Sequence, residues 1–276
     1  VQRLIAAAKE EGIVSIGLHH PVANCLDYAQ LLAEKYHLTH CNIVPVYRNE
    51  SALDSVTFGC YQLMARYLQG DKPTVVGIGS GLTLKKTIKR IDFDSHNTRC
   101  VALISAMNEH GQCNYYDDVP LLLARKIQGK YYQWPAPRYA QSSEEHEMWC
   151  SNRLFRNVCA VADAADVIFV GIGALGRQSP IFKDGFIDEA QLEELTQRGG
   201  VGEILGRFID ADGNVIDSQI NRFITSYDIR QSQCPRIAAA CGEDKRPAIL
   251  AALKGGWVNG LVTDEQTARW LLTRQG

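Results

Sequence analysis

The sequence predicts an α/β protein in which helices cover both faces of a parallel sheet. The main observation is a recurring order of a short apolar run, a glycine turn and an amphipathic segment with helical spacing. Apolar strands that alternate with helices are typical of parallel sheets with both faces buried. The second observation is the Asp212-Gly213 pair between Phe208 and Ile216, which predicts a tight antiparallel hairpin. The 276 residues would allow two domains, but one α/β domain with a small antiparallel addition explains the pattern most simply.

Four apolar runs are the predicted strands of the sheet. They span residues 74–76, 167–170, 237–240 and 260–262. Leu84, Ile88 and Ile91 predict a helix after the first run, and a long loop is expected after the second. Pro247 suits the first turn of the helix after the third run, and Asp264 is the expected N-cap of the last helix, which ends near residue 272.

Amphipathic spacing predicts three further helices. They span residues 24–36, 53–67 and 142–162. Ser142 and Glu145 have the spacing of a capping box at the start of the third helix. The extended stretch from Trp134 to Arg138 either borders a pocket or forms an edge strand.

Composition excludes several classes of protein. The net charge is -2, whereas nucleic-acid-binding domains usually carry a basic face. The nine cysteines are odd in number and form no C-x-x-C pair, which predicts reduced thiols in a cytoplasmic protein rather than disulfides or a zinc site. No apolar run is long enough to span a membrane. We therefore expect a cytoplasmic protein with no metal, no cofactor and no membrane partner.

The first candidate binding segment follows the first predicted strand. Ligands of parallel α/β sheets bind beyond the carboxyl ends of the strands. In Gly79-Ser80-Gly81-Leu82-Thr83, backbone N–H groups and two hydroxyls can hold a phosphate at a helix start. A plain turn with Ser80 or Thr83 as the cap explains the segment equally well. A dinucleotide site fits less well, because the glycine spacing is not G-x-G-x-x-G and no acidic residue closes the next strand.

The second candidate segment lies just ahead of Pro247. Lys245 and Arg246 occupy a helix start, where cations oppose the helix dipole unless an anion is present. We predict an anionic partner for Lys245. For Arg246 we predict a solvated position on the surface.

The third candidate segment carries Glu203 and Asp210 in an otherwise apolar run. Buried carboxylates need partners. The hydroxyls of a sugar would supply them, and so would a structural pairing with Arg207. The sequence leaves these two explanations open.

Taken in order along the chain, these motifs resemble the sugar-binding domain of the SorC family of bacterial transcription regulators. These are the sorbitol- and sorbose-type, DeoR-like sugar-responsive regulators. The resemblance covers nearly the whole chain. The matching segments are residues 11–14, 77–84, 164–167, 171–173, 201–210, 242–245, 248–249 and 261–268.

The resemblance implies a three-layer, Rossmann-like fold similar to ribose-5-phosphate isomerase, glucosamine-6-phosphate deaminase and the CoA-transferases. It also implies a small-molecule effector, a sugar or a sugar phosphate. The implied phosphate-binding residues are Gly79, Ser80, Gly81, Leu82, Thr83 and Lys245. The implied hydroxyl-binding residues are Glu203 and Asp210, and the implied pocket glycines are Gly171, Gly173 and Gly242.

Family members begin with a helix-turn-helix domain, which we do not find in this sequence. The resemblance therefore implies that residues 1–12 are the remnant of a linker helix and that residues 13–276 form the effector-binding and oligomerisation domain. We expect a homodimer or homotetramer that contacts DNA only through the missing helix-turn-helix domain.

The sequence departs from the family at three positions, and two other functions remain as alternatives. Many members carry an aromatic residue at Ser80, an arginine at Leu82 and a glycine at Cys241. A sugar-phosphate isomerase or deaminase resembling glucosamine-6-phosphate deaminase would carry Asp-Gly-His where this chain has residues 173–177. A pure oligomerisation module would need neither the glycine loop nor Lys245. The sequence favours a sensor over both.

Overall fold

The computed structural model describes residues 21–47, 51–107, 111–113 and 119–274. The predicted linker helix at residues 1–12 lies outside the described residues. Strands β1 to β10 span His40–Val44, Thr74–Ile78, Thr98–Ala102, Lys130–Tyr132, Val167–Val170, Gly173–Ala174, Gly200–Ile204, Arg207–Asp210, Arg236–Ala239 and Gly260–Asp264. Helices α1 to α11 span Pro21–Tyr36, Ala52–Leu68, Leu82–Lys89, Val119–Lys126, Ser143–Ser151, Arg153–Asp163, Pro180–Lys183, Glu189–Gln197, Gln219–Arg222, Arg246–Lys254 and Glu265–Leu272.

The main sheet has seven strands in the order β1-β10-β9-β5-β2-β3-β4, and every pair of neighbours is parallel. Successive residues of one strand enter different hydrophobic clusters, as the pleat requires. On β5, Phe169 packs with α2, α3 and α4, whereas Ile168 and Val170 pack with α1, α6, α10 and α11. The predicted three-layer α/β fold is therefore confirmed.

All four predicted apolar runs are strands of this sheet. Asp264 is the N-cap of α11, and its Oδ1 accepts from the N–H groups of Gln266 and Thr267 at 3.0 Å each. Pro247 lies in the first turn of α10. These confirmed elements have strong apolar runs or capping residues, which are local signals.

The predicted helix from 142 to 162 is two helices. Ser142 caps the first as predicted, with its Oγ 3.2 Å from the Glu145 nitrogen, but the Glu145 carboxylate accepts from the Gln141 nitrogen at 2.8 Å. Asn152 has an extended backbone (ψ 138°) and accepts from the Leu154 nitrogen at 2.8 Å. Asn152 therefore ends one helix and caps the next, because its side chain competes for backbone N–H groups.

The second sheet is antiparallel, in the order β6-β7-β8. It packs with α7, α8 and α9 around its own cluster, which includes Phe208 and Leu195. The predicted hairpin at Asp212-Gly213 is present, and Ile209 bridges Val215. The small antiparallel addition is thus confirmed.

A second turn, between β7 and β8, has no signal in the sequence. Its two central residues are Leu205, with φ 51°, and Gly206, with φ 79°. Positive φ at both positions is the pattern of a type I′ turn. Leucine disfavours the left-handed region, so the sequence indicates no turn between residues 202 and 210.

All nine cysteines are free thiols. Among the described residues, none of the helices is both long and apolar enough to cross a membrane.

Candidate functional site

The glycine loop connects β2 to α3 at the carboxyl edge of the main sheet. The Gly79 nitrogen donates to the Phe169 carbonyl at 2.9 Å. Gly81 has a φ of 113°, in the left-handed region that glycine adopts freely. Gly81 is the N-cap of α3, and the described residues provide no side-chain cap for this helix. The alternative in which Ser80 or Thr83 caps the helix is therefore wrong, and the first N–H groups of α3 point beyond the sheet edge.

Neighbouring segments hold the loop closely. A β-carbon on Gly79 would lie 3.0 Å from Leu205 Cδ2 and 3.4 Å from the Val170 Cα. A β-carbon on Gly171 would lie 3.2 Å from the Ser80 carbonyl oxygen. The loops after β2 and β5 and the β7–β8 turn thus meet at one place, as expected where parallel strands end.

Glu203 lies on β7, opposite Gly173 of β6. Its Oε2 accepts from the Gly206 nitrogen at 2.8 Å. A β-carbon on Gly173 would lie 2.2 Å from Glu203 Oε1, so the carboxyl group occupies space that only glycine leaves open. Burial raises the pKa of Glu203, while the Gly206 N–H and the positive charges of Arg138 and Lys245 oppose that rise. Glu203 is therefore a carboxyl group within the electrostatic reach of two cations.

Arg207 does not pair with Glu203. Its Nη1 donates to Ser226 Oγ at 2.6 Å and to the Tyr227 carbonyl at 3.1 Å, and its Nη2 donates to the Ser226 carbonyl at 2.6 Å. Arg207 therefore anchors the 226–227 segment. Of the two explanations that the sequence left open for Glu203, the structural pairing with Arg207 is absent from the described contacts.

Lys245 is the last residue of the 3-10 turn Glu243–Lys245, which leads directly into α10. The described residues provide no side-chain cap for either the turn or the helix. Gly242 begins the turn with a φ of 106°. The turn contacts β6, the strand that pairs with Glu203, and the positive charge of Lys245 opposes the rise in the pKa of that carboxyl group.

The prediction of a solvated Arg246 is wrong. Only 16% of its side chain is exposed. Its Nη1 lies 3.4 Å from Glu243 Oε1, and its buried Nε has no hydrogen-bond partner among the described residues. Residue 246 begins α10, which packs on β7 and β8, so neighbouring structure covers the side chain.

Asp210 lies at the far end of the β7–β8 ladder, opposite Gly200, whereas Glu203 pairs with Phe208. Asp210 Oδ1 accepts from the nitrogens of Asp212 and Asn214 at 2.9 Å each. Although burial opposes it, the N–H groups of the turn and the Asn214 side chain hold the pKa of Asp210 below its ordinary value. The structure thus does not bring Asp210 together with Glu203, and its carboxylate holds the turn.

Arg138, whose positive charge lowers the pKa of Glu203, was not among the predicted site residues. Its side chain is buried, its Nη2 donates to the Ser105 carbonyl at 3.0 Å, and its guanidinium lies 3.4 Å from the centre of the Phe186 ring. The sequence indicates a role for Arg138 only through its place in the stretch 134–138, which was predicted either to border a pocket or to form an edge strand. Arg138 and Trp134 do border two cavities of approximately 540 and 210 Å³, respectively.

Comparison with known proteins gives a family and several relatives. The family model described as "Putative sugar-binding domain" matches residues 20–273. The chain is 30% identical to the erythritol catabolism regulatory protein EryD of Brucella abortus (strain 2308) over 98% of this chain and 86% of that protein. It is 28% identical to the transcriptional regulator LsrR of Escherichia coli (strain K12) over 99% of this chain and 85% of that protein.

Solved structures show the same fold. The full-length sorbitol operon regulator SorC from Klebsiella pneumoniae superposes with a TM-score of 0.81 at 22% identity, over 99% of this chain and 89% of that chain. A DeoR family transcriptional regulator from Listeria monocytogenes superposes with a TM-score of 0.78 at 22% identity, over 90% of this chain and 99% of that chain.

Proposed function

The chain belongs to this family of sugar-binding domains, and from that premise we propose that it senses a sugar phosphate at the carboxyl edge of its main sheet. The relatives are named as regulators, two of them as transcriptional regulators, and two of the names refer to erythritol catabolism and to a sorbitol operon. These names support a ligand-sensing role in the regulation of sugar metabolism, with a sugar or polyol derivative as the effector.

One observation carries the assignment of a phosphate. Two helical starts, at Leu82 and at Glu243, lie at this edge without a side-chain cap among the described residues. Several other helices are capped, for example by Ser51 and Asp188, although α7 also begins without a side-chain cap. Uncapped N–H groups and the positive end of the helix dipole favour an anion, and Lys245 adds an ammonium group. The residues proposed to hold the phosphate are Gly79, Ser80, Gly81, Leu82, Thr83 and Lys245.

Glu203 is the proposed acceptor for sugar hydroxyls. It is partly exposed, and its Oε2 is fixed by the Gly206 N–H. A fixed carboxyl group discriminates between hydroxyl positions, because a missing partner leaves a polar group unpaired. Gly171, Gly173 and Gly242 are proposed to keep the pocket clear of β-carbons. Asp210 is not proposed to bind the ligand, since its carboxylate already accepts hydrogen bonds from backbone N–H groups of the turn.

The proposed output is a change in self-association. A ligand shifts only those equilibria whose states it binds differently, and symmetric regulators read paired DNA half-sites. We therefore propose a cytoplasmic homo-oligomer whose effector changes the geometry of attached helix-turn-helix domains. In this proposal, only those helix-turn-helix domains contact DNA.

A sugar-phosphate isomerase or deaminase is the competing function. In place of an Asp-Gly-His motif, Gly173 and Ala174 form β6 and Arg177 pairs with Glu189. The relatives reported above are named as regulators. Neither observation favours an enzyme.

The experiment that tests the proposal is ¹H and ³¹P NMR of D-ribulose 5-phosphate and erythritol 4-phosphate mixed with the protein. We expect broadened ligand signals, which report binding, and unchanged chemical shifts of the recovered compounds after a day. Appearance of an isomerised or hydrolysed product, in proportion to protein concentration, would contradict a pure sensor. The control is the same mixture with heat-denatured protein, which reports any reaction that does not need the folded chain.

A further inference from the structure

Side chains hold both ends of the central peptide of the β7–β8 turn. Its carbonyl, on Leu205, accepts from Ser226 Oγ at 2.7 Å, and its N–H, on Gly206, donates to Glu203 Oε2 at 2.8 Å. Ser226 is buried. Because the C=O and N–H groups of a trans peptide point in opposite directions, the orientation that satisfies Ser226 is also the one that aims the N–H at Glu203.

A largely buried arginine lies behind Ser226. Arg207 Nη1 donates to Ser226 Oγ at 2.6 Å. An arginine only donates and a carbonyl only accepts, so the hydroxyl proton of Ser226 is directed to the Leu205 carbonyl. One chain of hydrogen bonds thus runs from the guanidinium through the hydroxyl and the peptide to the carboxylate of Glu203. Hydrogen bonds in such a chain strengthen one another, so the guanidinium strengthens the N–H donor that reaches the carboxylate.

The backbone alone does not favour this turn. Leu205 has a φ of 51°, in a region that leucine disfavours. Residues in such conformations persist only where the surrounding structure holds them, and they cluster at ligand-binding sites. Leu205 also packs on the glycine loop, since its Cδ2 would lie 3.0 Å from a β-carbon on Gly79. The turn therefore lies between the proposed phosphate loop and the proposed hydroxyl acceptor.

Glu203 keeps its second oxygen for another partner. Among the described residues, none donates a hydrogen bond to Oε1, and Gly173 leaves open the space beside it that a β-carbon would fill. The titratable groups that act on Glu203 are Arg138, Lys245 and Tyr139. A carboxylate with one oxygen fixed by a backbone N–H and the other available can accept a hydrogen bond from a ligand hydroxyl.

We propose that Ser226, supported by Arg207, is a positioning residue for effector recognition, because it fixes the 205–206 peptide that holds Glu203 as an acceptor for ligand hydroxyls. Ser226 does not touch the ligand and acts through the peptide. The inference rests on the proposed function, because it takes Glu203 to bind those hydroxyls. Without the Ser226 hydroxyl, the peptide can rotate, and Oε2 then loses the donor that favours its charged form.

The test follows the protonation of Glu203 directly. The carboxyl carbon is observed by ¹³C NMR over a range of pH in protein labelled with ¹³C-glutamate, and its signal is assigned by its loss in Glu203→Gln. In Ser226→Ala we expect the titration midpoint to move to higher pH, because the carboxylate loses a hydrogen bond. Titration calorimetry should show D-ribulose 5-phosphate binding about tenfold more weakly and inorganic phosphate binding unchanged.

Tyr139→Phe is the matched control. The Tyr139 hydroxyl donates to the Gly206 carbonyl at 2.8 Å, which belongs to the next peptide of the same turn. This variant removes a hydrogen bond of similar length without releasing the 205–206 peptide, so it should leave the midpoint and both affinities unchanged. If Ser226→Ala does not fold, Ser226→Cys replaces it. A thiol is a weaker donor than a hydroxyl, so the midpoint should move in the same direction by less.

Two kinds of failure are distinguishable. An unchanged midpoint or an unchanged affinity for the ester in a folded Ser226 variant would overturn the inference and leave the proposed function intact, and so would equal changes in Tyr139→Phe. If the wild-type protein binds neither the ester nor inorganic phosphate, the proposed function fails and the inference fails with it.

Discussion

Replacing Lys245 by alanine should weaken the binding of D-ribulose 5-phosphate and of inorganic phosphate by about tenfold to a hundredfold. A hydrogen bond to a charged group contributes about 1.5–3 kcal/mol, and the site also loses the only cation that we propose to touch the phosphate. Titration calorimetry on the folded variant measures the effect. The expected loss is similar for both ligands, because the phosphate is the part that they share.

Lys254→Ala is the matched control for this prediction. Lys254 ends the same helix, α10, and its Nζ lies 3.5 Å from Asp212 Oδ1, at the opposite end of the helix from the proposed phosphate site. It should leave phosphate binding unchanged. Glu203→Gln should also keep inorganic phosphate binding but reduce discrimination between sugar phosphates. Loss of phosphate binding in a folded Glu203→Gln variant would show that the two roles are not separate.

Replacing Trp257 by alanine should lower the free energy of unfolding by about 3–5 kcal/mol, the usual cost of removing a buried aromatic side chain. The indole ring is 1% exposed, its Nε1 donates to the Gly213 carbonyl at 2.8 Å, and the Arg230 guanidinium lies 4.2 Å from the ring centre. Trp257 therefore fastens the turn at Gly213 to the end of α10. Urea denaturation monitored by circular dichroism measures the loss.

Two other variants test whether burial of the ring accounts for the loss of stability. Trp257→Phe keeps an apolar ring and removes the hydrogen bond, so it should cost less than Trp257→Ala. Trp270→Ala removes a tryptophan that is only partly buried in α11 and should also cost less. If Trp270→Ala destabilised the protein as much as Trp257→Ala, burial would not be the reason for the effect.

The parallel sheet could be predicted because its signals are local. Phe169 and its neighbours form an uninterrupted apolar run, and Asp264 is a strong capping residue in the position where the last helix begins. The two features that the sequence does not predict, the β7–β8 turn and the break at Asn152, depend on tertiary structure or on competition between hydrogen-bond partners. Leu205 takes a left-handed conformation that its residue type disfavours, and Asn152 captures a backbone N–H and so divides a helix.

The candidate site was predictable only in part. The positions of the glycine loop and of Lys245 followed from the rule that parallel strands end at one edge. The separation of Asp210 from Glu203 could not be predicted from that rule, because it depends on the turn at residues 205 and 206. The positive charge of Arg138 lowers the pKa of Glu203, and no local sequence pattern indicates an electrostatic effect between residues so far apart in the chain.

The central claim is that this sheet edge recognises a phosphate ester, and thermal denaturation with paired ligands tests it most directly. Melting temperatures are compared for D-ribulose 5-phosphate against D-ribulose and for erythritol 4-phosphate against erythritol, each over a range of concentrations. At a hundredfold excess over its Kd, a bound ester should stabilise the protein by about 2.7 kcal/mol, a rise of roughly 5 °C or more. We predict that at least one ester produces this rise and that its parent sugar does not. Equal shifts from esters and parent sugars would contradict the account.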